Sequence, residues 1–228
     1  MKPNKDHLLY FDAEWVPVSE TLALLKVEHP KLYAAFESLR SKWEDKENAP
    51  NWKPEEWWKN KAHTYPEFCK IICISYGYFN NGSFVIQSCY GDDEEKLLSS
   101  FNTVLRKAAN YTLCGYSIKR FDMPWIAKRM MANGISPHSS ISVYGKKPWE
   151  VDVFDLPEVW GQGTMGESYT PFELCCIALG IESSKDDISG SEVKEAYYNG
   201  EIERIKDYCE KDVDKTMEVA VKLIELMP

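Results

Sequence analysis

Residues 69–79 read Cys-Lys-Ile-Ile-Cys-Ile-Ser-Tyr-Gly-Tyr-Phe, the strongest strand signal in the chain. Asn80-Asn81-Gly82 follows as a turn, and residues 83–88 return as a second strand, so the fold contains a β-hairpin. Three further strands are expected. Residues 7–13, His-Leu-Leu-Tyr-Phe-Asp-Ala, are short, apolar and aromatic; Tyr111–Cys114 ends at Gly115; Val151–Asp155 is the last.

Helices are expected between and after these strands. Residues 19–47 carry Leu22, Leu25, Leu32, Phe36 and Leu39 near helical spacing, with Ser19 or Thr21 as cap and Pro30 as a break. Asp92-Asp93-Glu94-Glu95 opens a second helix, its acids favoured by the positive end of the helix dipole. Others are expected at about 123–133, with Pro124 in the first turn and Gly134 as stop, and at 171–179, 191–199 and 201–226. Residues 48–66 concentrate Pro50, Trp52, Pro54, Trp57, Trp58 and Pro66, an insert pinned by aromatics. Its indoles either cover part of the core or offer bases a stacking surface. The order of elements fits one α/β domain over residues 1–228: a mixed sheet of five to six strands flanked by helices, with a helical Trp/Pro-rich insert at about 16–66.

Composition removes other classes. Hydrophobic residues make up 44% and charged residues 28%, which excludes a mainly disordered or collagen-like chain. No apolar run reaches the ~20 residues of a membrane span. The first residues lack the apolar stretch of a signal peptide, and seven Cys without a Cys-x-x-Cys pair read as reduced thiols, so a cytoplasmic location is expected. A net charge of −9 argues against a general nucleic-acid coat. The stretch 119–147 is the exception: Lys119, Arg120, Lys128, Arg129, Lys146 and Lys147 face one acid, Asp122, and suit local contact with a polyanion.

Four acids stand where acids are costly. Asp12 and Glu14 end the first strand, and an i, i+2 pair on a strand points one way. Asp122 opens a helix after Phe121. Asp212 lies four residues after Tyr208, so phenol and carboxylate share a helical face. Each feature alone has a plain structural reading, as chance spacing, an N-cap or a surface pair. Carboxylates that converge need divalent cations; hard oxygen ligands suit Mg²⁺ or Mn²⁺, and two such ions can cleave a phosphodiester.

Three segments carry a resemblance. Phe11-Asp12-Ala13-Glu14, the stretch from Gly115 to Pro124 and Tyr208-Cys209-Glu210-Lys211-Asp212-Val213 resemble the three exonuclease motifs of DEDDy 3′–5′ exonucleases. The chain is most similar to the stand-alone predicted exonucleases related to the proofreading domain of family B DNA polymerases, from about residue 7 to 224. Gly145-Lys146-Lys147-Pro148-Trp149-Glu150 and Lys185-Asp186-Asp187-Ile188-Ser189-Gly190 also look like segments of that group.

The resemblance implies a ribonuclease H-like fold and a two-ion site of Mg²⁺ or Mn²⁺. Asp12 would bridge the ions, Glu14 and Asp212 would hold the one beside the nucleophile, and Asp122 would act on the second. Tyr208, in place of the His of a sister subgroup, would orient the attacking water. Lys119, Arg120, Phe121, Lys146 and Lys147 would touch the strand. Ser117 stands where relatives commonly have an Asn that holds the terminal nucleotide, with fewer donors and less reach. The expected partner is the 3′ end of single-stranded DNA, with RNA as the alternative substrate, a replication or repair partner conceivable and no membrane. A non-catalytic single-strand-binding accessory protein is the rival from another class.

Overall fold

The computed structural model describes residues 2–162, 170–182 and 187–228. Lys185 and Asp186, part of one segment that carries the resemblance, lie outside these. Strand β1 (Leu8–Pro17) leads through α1 (Leu22–Glu28), α2 (Pro30–Glu44) and α3 (Pro54–Lys61) to the hairpin of β2 (Cys69–Asn80) and β3 (Ser83–Tyr90). Helix α4 (Glu94–Lys107), β4 (Thr112–Gly115), α5 (Asp122–Ala132) and β5 (Val153–Asp155) follow. The rest is helical: α6 (Leu156–Trp160), α7 (Phe172–Ala178), α8 (Val193–Tyr198) and α9 (Ile202–Leu226).

The strands form one five-stranded sheet in the order β3-β2-β1-β4-β5. β1 is central, antiparallel to β2 and parallel to β4, which is in turn parallel to β5. This is the mixed α/β sheet expected from the sequence. One face carries α4 and α5 over a core of Leu9, Phe11, Ile74, Leu98, Phe101 and Ile126. The other carries α7 and α9 over Leu8, Tyr10, Cys114, Val213 and Leu223. Alternate β1 residues thus enter opposite cores, as the two-residue period of a strand requires.

β1 runs to Pro17, four residues beyond the expected strand, because β2 pairs with it as far as Pro17↔Cys69. The insert therefore starts after Pro17. Pro30 restarts the chain as the first residue of α2, its missing N–H harmless there. The insert builds its own core from Leu25, Phe36, Trp43, Trp57, Trp58 and Phe68. Trp57 and Trp58 are 1% exposed, so their indoles cover a core and cannot serve as a stacking surface for bases. Among the described residues no helix is long and apolar enough to cross a membrane, and all seven cysteines are free.

Candidate active site

The cleft opens beside the end of β1. Between Glu14 and Trp15 the β1–β2 register slips, with Glu14 opposite Cys73 and Trp15 opposite Ile71, so β2 carries one extra residue at the acids. A bulge of this kind bends the strand and re-aims its side chains. Helix α9 crosses β1 and β2, its apolar stripe of Ile205, Cys209, Val213, Ala220 and Leu223 buried against the sheet. That seating brings Tyr208 and Asp212 to the cleft. Carboxylate oxygens of Asp12, Glu14 and Asp212 all lie within 4.8 Å of one another.

Asp122, the first residue of α5, is 5% exposed and lines the same cavity of about 410 Å³. Its carboxylate does not join the trio. Oδ1 accepts the Ala13 N–H at 3.1 Å, which ties the start of α5 to the middle of β1.

The electrostatics follow from this crowding. Burial, then the charges of Glu14, Asp122 and Asp212, pushes Asp12 well above the usual carboxylate range; the Cys209 thiol, 3.5 Å from Oδ2, opposes the shift. Burial and the charge of Asp212 push Glu14 up as well. Asp122 is pushed up to about 7, chiefly by burial, against the pull of backbone N–H donors. Burial and the negative charges of Glu14, Asp212 and Asp12 raise Tyr208, whose side chain is hydrogen-bonded to Asp212, so the phenol keeps its proton. Pairwise repulsion between unit charges this close is on the order of 3 kcal/mol at an effective dielectric of about 20. Among the described residues lining the cavity there is no Lys, Arg or His to offset it.

The walls are aromatic. Trp15 stacks on Trp125 with ring centres 4.3 Å apart, and its Nε1–H donates to the His63 carbonyl at 3.1 Å. Phe121 lines the cavity, and Tyr116 packs on Phe172 at 4.8 Å. Ser117 lines it as well, buried in the left-handed region at φ +63°. Asn tolerates that conformation better than Ser does.

The basic stretch is narrower in space than in sequence. Lys119 is paired to Glu158 at 2.7 Å, Arg129 to Glu94 at 2.6 Å and Lys128 loosely to Glu67 at 3.9 Å. Arg120 stacks over Phe121 with its guanidinium carbon 5.2 Å from the ring centre. Lys146 and Lys147 are exposed and do not line the cavity.

Two site residues escaped the sequence reading. Asp155, 4% exposed, accepts the Lys119 N–H at 3.1 Å and also a bond from Ser117, holding the turn that leads to Asp122. Its Oδ1 has no partner among the described residues, and burial pushes its carboxyl up to about 6. Cys209 donates to the Asp12 carbonyl at 3.4 Å as well as to its carboxylate. An acid ending a three-residue strand and a Cys in a helix carry no local signal of such contacts.

The chain covers 95% of its length on the family B DNA polymerase from the hyperthermophilic archaeon Pyrobaculum calidifontis, with a TM-score of 0.57 and 15% identity. It spans 24% of that polymerase chain, and at this identity the likeness establishes the ribonuclease H-like fold alone. No curated protein matches it. Residues 62–227 match the profile of one family, a span that takes in Asp122, Tyr208 and Asp212 and leaves out β1 with Asp12 and Glu14. The chain belongs to the predicted 3′–5′ exonucleases related to the exonuclease domain of PolB.

Proposed function

We propose that the protein removes nucleotides from the 3′ end of single-stranded DNA by metal-dependent hydrolysis, releasing nucleoside 5′-monophosphates. The observation that carries this reading is the carboxylate trio within 4.8 Å in a cavity whose described lining holds no basic side chain. Such a donor set fits hard divalent cations, Mg²⁺ or Mn²⁺, that keep waters and bind phosphate oxygens. Asp12, Glu14 and Asp212 would hold one ion, and Asp122 with Asp12 a second. When bound, the pair supplies an acidified water and stabilises charge on the leaving oxygen.

The chain's own groups do the rest. Tyr208 keeps its proton and directs the attacking water through its hydroxyl, anchored on Asp212. Trp15, Tyr116, Phe121 and Phe172, which line the cavity, flank the terminal base. Ser117 and Asp155 set the turn that carries Arg120 and Phe121 to the strand. Arg120, Lys146 and Lys147 are the cations left for the backbone, while Lys119 is held by Glu158. The overall acidity suits an enzyme that grips a few terminal nucleotides and releases them.

The test is a 5′-labelled oligodeoxynucleotide incubated with purified protein and Mn²⁺. A ladder shortened from the 3′ end, with mononucleotides as product and no ladder from Asp12→Ala, is the expected result. An uncut oligonucleotide that is nonetheless bound would mean an accessory binding protein. Faster turnover of a matched RNA would move the substrate to RNA, since carboxylates do not distinguish the sugars.

A further inference from the structure

The loop joining α5 to β5 carries two aromatic rings that the fold leaves in solvent. Its ends are fixed, with Ile141 fully buried and Val151 in the core under α5. Between them Tyr144 is 95% exposed and Trp149 77%. The next most exposed Phe, Tyr or Trp among the described residues is Tyr90 at 40%, and its hydroxyl is bonded to Glu203. The tip is shaped by its own hydrogen bonds. The Lys146 N–H donates to the Val143 carbonyl at 3.2 Å, and the Glu150 N–H to the Lys147 carbonyl at 2.9 Å. The Glu150 carboxylate in turn accepts the Lys147 N–H at 2.8 Å. The rings are therefore presented by an ordered turn.

Charge indicates what covers them. The Lys147 ammonium sits 5.3 Å from the centre of the Trp149 ring, and Lys146 is its exposed neighbour. Neither side chain has an ion pair among the described residues, in a chain of net charge −9. Two exposed rings beside two ammonium groups without ion pairs among the described residues match a polyanion with flat bases: the rings take any base, and the ammonium groups take phosphates.

We propose that the tip around Tyr144, Lys146, Lys147 and Trp149 is a second contact for single-stranded nucleic acid. Tyr144 and Trp149 stack on bases upstream of the nucleotide being removed, and the lysines hold the phosphates between them. The proposal rests on the exonuclease reading and extends it from the cleft to the strand, because none of these residues lines the cleft.

The test compares a 15-nucleotide single strand with a trinucleotide too short to reach beyond the cleft. Binding is read by fluorescence anisotropy in EDTA and cleavage by steady-state rates with Mn²⁺. The Tyr144→Ala/Trp149→Ala variant is expected to bind the 15-mer about tenfold more weakly. Its KM for the 15-mer rises in step and its kcat stays put, with no change on the trinucleotide, while Trp149→Phe keeps most of the affinity. Lys146→Ala/Lys147→Ala should flatten the salt dependence of binding by about 1.4 in the slope of log K against log salt. Wild-type affinity in the double aromatic variant overturns the proposal, and is the result if the rings serve a protein partner. Equal losses on both lengths overturn it too, because they mean a disturbed cleft. If the 15-mer binds through the loop yet nothing is cleaved, the exonuclease reading fails and the binding site stands.

Discussion

The floor of the cleft and the core of the insert are neighbours made of opposite materials. Asp12, Glu14 and Asp212 crowd the floor with no basic side chain among the described residues that line the cleft, whereas Phe36, Trp43, Trp57, Trp58 and Phe68 pack edge-to-face and stacked within 6.0 Å of one another in successive pairs. The first arrangement works against folding, because like charges are buried together, and the second contributes apolar burial. They meet on β1. Glu14 belongs to the floor; Trp15, the next residue, is bonded to the His63 carbonyl at the end of the insert. The Trp58 indole donates to the Ser19 carbonyl at 3.3 Å and the Val18 N–H to the Phe68 carbonyl at 2.9 Å, so the insert grips the chain as it leaves β1. A strand end that carries clustered charge is braced by an aromatic core of its own.

The comparison is broken most sharply at Asp12. Asp12→Ala removes a carboxylate from the trio and, on the proposed reading, the several kcal/mol of transition-state charge stabilisation that bound ions would supply. Cleavage should fall on the order of a thousandfold. The same change relieves repulsion, so the metal-free protein should melt no lower than wild type. Calorimetry beside a gel assay separates the two effects. An active Asp12→Ala protein would remove the floor's chemical role.

Trp58→Ala is the mirror experiment. The ring is 1% exposed, and deleting it should cost about 3–5 kcal/mol of stability in urea titration. Well below the new melting temperature, cleavage per folded molecule should stay within about threefold of wild type. Loss of cleavage in a still-folded variant would show that the insert shapes the floor through Trp15 rather than merely bracing it.

Acid should act on the two regions unequally. Asp122 is pushed up to about 7 from 3.8, so between those values the folded protein holds a proton that the unfolded chain has released. Stability then falls as pH rises across that window. Between pH 5.5 and 7 the contribution is on the order of 2 kcal/mol, roughly 4–8 °C in melting temperature. Without metal the protein should therefore melt higher at pH 5.5 than at pH 8, and Mn²⁺ should recover most of the difference. Asp122→Asn keeps an acceptor for the Ala13 N–H and should shrink the pH dependence. The insert responds with the opposite sign: burial holds His63 below the usual imidazole range, so its contribution to stability rises with pH. A melting temperature that rises from pH 5.5 to pH 8 without metal would contradict the crowding described for the floor.

How much of this was legible in sequence divides along the same line. Local patterns held up. The hairpin after Phe79 and the stripe of α9 lie where periodicity and turn residues put them; the spacing of two puts Asp12 and Glu14 in one cluster, and the spacing of four lets Tyr208 bond to Asp212. What failed to show was long-range pairing. β1 continues to Pro17 only because β2 runs beside it, and Asp122 turns aside to an N–H 109 residues earlier in the chain. Lys119 looks as free as Lys146 in a string of letters, yet Glu158 claims it. The Trp-rich insert could be read as core or as stacking surface, because burial depends on what folds over a ring, and here α2 and α3 cover each other's rings. The two rings left in solvent, Tyr144 and Trp149, gave no sign of differing from those of the insert.

The finest probe is Tyr208. Burial and three neighbouring carboxylates raise its phenol, so it cannot supply a base near neutral pH; it offers a directed hydrogen bond. Tyr208→Phe removes that bond and leaves ring, helix and carboxylates in place. A single hydrogen bond of this kind is worth about 1 kcal/mol, or up to twice that beside a charge, so the rate should drop about tenfold with KM and Mn²⁺ affinity unchanged. The alkaline limb of the pH–rate profile should be the same in both proteins, because the phenol is not the group that titrates. A loss as deep as that of Asp12→Ala, or a shifted alkaline limb, would make the hydroxyl a proton acceptor. The acids would then be lowering rather than raising its affinity for protons, against the sign of every charge that faces it.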